Sequence, residues 1–68
     1  MKSYKPKALL KILKKSGFYV HHQKGSHMIL KSADGIRRVT IPIHNKDLKM
    51  KTLISIIKES GLNKELFN

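Results

Sequence analysis

The chain has no cysteine and no tryptophan, and only four acidic residues. Without cysteine there is neither a disulfide framework nor a thiolate metal site, which fits a reducing compartment such as the cytoplasm. No apolar run approaches the roughly 20 residues of a membrane span, and the N-terminus carries no hydrophobic signal core, so neither a membrane anchor nor export is expected. With 68 residues the chain reads as one domain, 1–68, able to bury only about 60% of its unfolded surface. A deep pocket has little room to form. Against four acids stand 13 lysines and two arginines, a formal net charge of +11. Ordinary soluble domains interleave both signs, and a surface this cationic repels itself and attracts polyanions. Nucleic acid or an acidic protein is the expected partner.

Helical periodicity opens the chain. Pro6 suits a first helical turn, and from Lys7 to Ser16 the residues Leu9, Leu10, Ile12 and Leu13 fall on one side, with Lys7, Lys11, Lys14 and Lys15 on the other. Gly17 reads as a left-handed cap with Phe18 packing back. Phe18 to Gln23 alternates as a strand, with Phe18, Val20 and His22 on one side and Tyr19, His21 and Gln23 on the other. After the turn Lys24-Gly25-Ser26, a second strand from His27 to Lys31 sets His27, Ile29 and Lys31 opposite Met28 and Leu30. Asp34-Gly35 signals a hairpin, so Ile36 to Ile41 is expected to pair back as a third strand that Pro42 stops. A polar connector from His44 to Met50 leads to a second amphipathic helix, Lys51 to Ser60, ended by Gly61-Leu62. Asn63 is placed to cap one further turn to Phe67.

The expected fold class is therefore α+β, an α-β-β-β-α two-layer sandwich. Both helices need one face of a three-stranded antiparallel sheet to hide their apolar stripes. The other face is left for water or a ligand.

Four histidines are the main titratable candidates: His21, His22, His27 and His44. None pairs with another at the i, i+4 spacing of a helical metal site and the acids are scattered, so no metal site is expected. No serine sits in a nucleophile elbow, and Ser26 and His27, adjacent on an extended chain, point apart. His27 stands out because it follows the small-residue turn Gly25-Ser26 and opens an apolar strand. One imidazole can cleave RNA, since the ribose 2′-hydroxyl is the nucleophile and the protein need supply only proton transfer and charge stabilisation. Adjacency places His21 and His22 on opposite sheet faces, so only one of them would share a face with any ligand. His44 reads as a turn residue in a loop near the sheet end that carries His27. Arg37 and Arg38 likewise alternate, one available to clamp phosphate and the other solvated. Lys46, Lys49 and Lys51 gather where the second helix begins, at its positive dipole end, and with Lys24 form the expected phosphate track. Gly25-Ser26-His27-Met28 also matches a familiar cloning remnant, but its place between two strands marks it as part of the fold.

These segments together resemble the HicA mRNA interferase toxins of bacterial type II toxin–antitoxin systems. The resemblance runs through Leu9 to Phe18, Gln23-Lys24-Gly25-Ser26-His27, Val39-Thr40-Ile41-Pro42 with His44, Leu48-Lys49, Thr52 to Ile57, and Ser60-Gly61-Leu62. One departure is Lys51, where the family often has glycine before the threonine. The resemblance implies a fold like that of double-stranded RNA-binding domains and makes His27 the catalytic residue. It also implies mRNA cleavage without a cofactor, and neutralisation by a HicB-type antitoxin, here expected to be acidic, that covers the site. The free toxin would be a monomer or small oligomer. The competing expectation is a non-catalytic RNA-binding module of the same fold, and a third is an interaction protein whose basic face docks only an acidic partner.

Overall fold

Lys5 is extended (φ −82°, ψ 152°) and delivers Pro6 to the first helical position, where its missing N–H forfeits no bond. Helix α1 then runs Pro6–Lys15 and buries Leu9 and Leu13 while its lysines stay exposed. The computed structural model describes residues 3–67. Ser16 ends α1, and Gly17, at φ 96°, turns the chain into strand β1, Phe18–Lys24. Strand β2 spans His27–Ser32 and β3 spans Arg38–Pro42, and the antiparallel sheet has the order β1-β2-β3. Helix α2 covers Met50–Ser60, and a single 3-10 turn, Lys64–Phe67, closes the described chain. The expected α-β-β-β-α order is what the chain adopts, with boundaries shifted by a residue or two.

Strand β3 begins two residues later than alternation predicts, and the cause is local. The Asp34 carboxylate accepts hydrogen bonds from the Ser32 hydroxyl and, at 2.9 Å, from the Ile36 N–H. The Ser32 oxygen in turn accepts from the Arg37 N–H at 2.9 Å. These side-chain bonds fold residues 32–37 into a loop, leaving Ile36 79% exposed.

The two helices cover one face of the sheet. Leu9 and Leu13 from α1 meet Leu53, Ile56 and Ile57 from α2 over Phe18, Leu30, Val39 and Ile41. Burying each such side chain contributes about 1.5–3 kcal/mol, which is how so short a chain offsets its ordering entropy. The last turn adds to this interior: Phe67 is fully buried and meets Tyr4 edge to face at 6.3 Å. Its start is fixed as the sequence predicts, with the Glu65 N–H donating to Asn63 Oδ1 at 3.0 Å. Ser60, a buried polar residue, donates to the Ile57 carbonyl and accepts from the Leu62 N–H. Among the described residues no helix is long and apolar enough to cross a membrane.

Candidate functional site

The sheet's other face carries no helix, and strand register identifies what stands on it. At one end Lys24 of β1 lies across from His27 of β2, which pairs with Pro42 of β3. The next row is His22, Ile29 and Thr40, and the last is Tyr19, Lys31 and Arg38. All are exposed except Ile29, Lys31 and Pro42. Ile29 is 8% exposed yet lies outside the cluster between sheet and helices, as a residue screened on the open face by its neighbours must. None of the four acids is in a strand: Asp34 and Asp47 sit in loops, Glu59 on α2 and Glu65 in the last turn. The open face is therefore basic without local compensation.

His27 owes its place to the turn before it. Gly25 and Ser26 form a two-residue hairpin connection, with Gly25 at φ 58° in the first position, where glycine carries little strain. The Ile43 N–H donates to the Ser26 carbonyl at 2.6 Å, tying this turn to the exit of β3. His27 thus stands at a braced strand end, exposed, with the Lys24 ammonium as its cross-strand neighbour.

His21 and His22 do not follow the expected alternation. Val20 pairs with Leu30 and His22 with the very next residue, Ile29, so His21 is an extra residue in β1, a β-bulge. The bulge reverses the phase of the strand, moving His22 to the open face and Gln23 to the helix side. His21 turns to the same face, its Nδ1 lying 2.8 Å from His22 Nδ1 and its ring 5.0 Å from the His22 ring. The two imidazoles are partners rather than residents of opposite faces. The nearby Lys31 ammonium holds the His21 pKa below its ordinary value, with smaller contributions from desolvation, His22 and Arg38.

The two arginines separate, with Arg37 in the loop before β3 and Arg38 opening the strand. Arg38 joins Lys31 on the open face. Arg37 reaches the end of α2, where a Cβ on Gly61 would fall 2.7 Å from its Cζ. Gly61 is also at φ 68°, so the position favours glycine on both counts. Lys46, Lys49 and Lys51 are exposed in the connector and the first turn of α2, which forms the other layer of the molecule. His44 accepts the Lys46 N–H at 3.2 Å and lines a groove with Pro6, Leu10 and Met28 on the helix side. It has no place on the open face.

Lys31 and the joined histidines went unassigned in the sequence. The position of Lys31 was readable, since it alternates with His27 and Ile29. The histidine pair was not, because nothing in His21-His22 signals a bulge. Among the described residues no group of three histidine or carboxylate side chains is arranged to hold a metal ion. A family model described as HicA toxin of bacterial toxin-antitoxin matches residues 6–62. A search of curated proteins gives no match.

Proposed function

Because the chain belongs to the HicA toxin family over residues 6–62, a toxin whose system includes an antitoxin partner, we propose that it is an endoribonuclease that cleaves mRNA by histidine acid/base catalysis without a metal. The observation that carries this reading is His27, exposed on an acid-free sheet face with Lys24 across from it. RNA brings its own nucleophile, so an imidazole that accepts the 2′-hydroxyl proton and a cation facing the phosphorane oxygens form a minimal catalytic set. The turn Gly25-Ser26 has no bulky side chain to keep the RNA backbone from the ring. Arg38 and Lys31 continue the phosphate path across the face, and Lys46, Lys49 and Lys51 extend it beyond the sheet. Arg37, packed at the end of α2, is assigned to the fold. An acidic HicB-type antitoxin that covered the open face would inhibit by denying RNA the same cations.

His27→Ala tests this reading. The side chain is exposed, so circular dichroism should be unchanged while cleavage of RNA in chelator is lost. DNA of the same sequence should remain uncut by the unsubstituted protein, lacking the 2′-hydroxyl. Undiminished cleavage by His27→Ala would remove the residue from the mechanism. Intact RNA with a retarded gel band, for the unsubstituted protein, would instead establish the non-catalytic RNA-binding reading, which Tyr19, 48% exposed beside Lys31, also suits.

A further inference from the structure

A cleavage that begins with proton removal from the 2′-hydroxyl must end with a proton on the departing 5′-oxygen, and one imidazole serves both ends poorly within one step. The bulge in β1 places a second ring where it is needed. Lys24 pairs with His27, and His22, two residues before Lys24, pairs with Ile29, so His22 is the cross-strand diagonal neighbour of His27 on the open face. Such neighbours lie about 7–8 Å apart, within reach of long side chains, and a phosphodiester can sit between the two rings. In a register without the bulge, His21 would take this row and His22 the opposite face, and the strand would offer no paired imidazole.

We propose that His22 is the general acid of this cleavage, opposite His27 as base, and that His21 is the residue that positions it. The assignment rests on the endoribonuclease reading and adds the second proton-transfer group to it. A contact between two Nδ1 atoms at 2.8 Å holds one hydrogen, so one ring donates and the other accepts. Lys31 and Arg38 disfavour a positive charge on His21, which assigns the hydrogen to His22 Nδ1 and the lone pair to His21. The His22 ring, held through its Nδ1–H by that acceptor, is left with Nε2 for the substrate. Among the described residues His27, by contrast, has no such side-chain acceptor, and it enters as the base.

The step balances. The 2′-oxygen attacks phosphorus as its proton passes to His27, the bond from phosphorus to the 5′-oxygen breaks, and the His22 Nε2 proton goes to that oxygen. The products are a 2′,3′-cyclic phosphate and a 5′-hydroxyl, and exchange with water resets both rings.

The test compares an ordinary oligoribonucleotide with one carrying sulfur in place of the 5′-bridging oxygen at the linkage that the unsubstituted protein cleaves. A thiolate departs without protonation, so the sulfur substrate does not need the acid. His22→Ala should slow the ordinary substrate by about 10²–10⁴-fold and leave the sulfur substrate near the unsubstituted rate. His21→Ala should show the same split to a smaller degree, an effect that loss of fold would not produce. His27→Ala should lose both substrates. An equal loss on both for His22→Ala, or none on the ordinary RNA, overturns the assignment while leaving His27 in place. No cleavage of either by the unsubstituted protein would instead remove the endoribonuclease reading and this inference with it.

Discussion

His21 carries the pH dependence that can be argued at the scale of one side chain. In the unfolded chain its pKa sits near the ordinary value of about 6.5, and in the folded chain Lys31 above all holds it lower. Between those two values the unfolded state binds more protons, so stability falls as pH drops through the window. Above the window the residue is neutral in both states and contributes no penalty, and below the folded value the loss is complete. Its full exposure leaves the direction firm and the size small, because solvent screens the neighbouring charges. Denaturant midpoints of the chain and of His21→Gln, measured from about pH 8 to about pH 5, should diverge on the acidic side, the variant losing less. Parallel curves would mean that Lys31 and Arg38 do not act on the ring as their positions imply. The residue scale also separates the two arginines, since adjacent positions send Arg38 to the open face and Arg37 to the end of α2.

At the scale of elements, the bulge divides what the sequence discloses from what it conceals. Both helices were legible because each carries a periodic apolar stripe and a glycine stop, and β2 because its alternation runs unbroken from His27 to Lys31. The late start of β3 was hidden, because bonds among Ser32, Asp34 and Ile36 outcompete an alternation that would have admitted Ile36 and Arg37. The bulge was hidden for a different reason: an inserted residue changes the phase of a strand, and a polar stretch such as His21-His22-Gln23 has no apolar mark to show it. His27 and its turn were therefore legible, whereas the histidine pair beside it was not. Register yields a direct prediction. Deleting His21 joins Val20, opposite Leu30, to His22, opposite Ile29, and leaves every other pairing of the β1–β2 ladder in step. The deletion should therefore fold with an unchanged circular dichroism spectrum and cooperative melting, although removing one residue from a strand with no bulge would turn all later side chains over. Amide exchange in β2 would check it, and loss of protection at Leu30 and Ile29 would show that the extra residue is needed for pairing.

For the whole molecule the decisive comparison is between its size and the reach of its charge. The radius of gyration is 10.9 Å, whereas the screening length is about 30 Å at 0.01 M salt and about 10 Å at 0.1 M. In dilute buffer every one of the 15 cationic side chains acts on all the others, and at physiological salt each acts mainly on its own neighbourhood. Added salt should therefore raise the melting temperature, because it relieves repulsion that the folded state concentrates and the expanded chain dilutes. The same salt should weaken RNA binding, since every phosphate engaged releases counterions, with a log–log slope of about −0.7 per contact on a single strand. Lys24, Lys31 and Arg38, the fixed cations of the open face, set a slope of about −2, and engagement of Lys46, Lys49 and Lys51 would steepen it. Titrating one preparation of His27→Ala, which should bind without cutting, reads both quantities under the same conditions. Stability and affinity moving in opposite directions along one salt axis is the signature of a face kept uncompensated for a polyanion. If affinity stayed constant while stability rose, the cations would be acting only on one another, and the open face would have no claim on RNA phosphates.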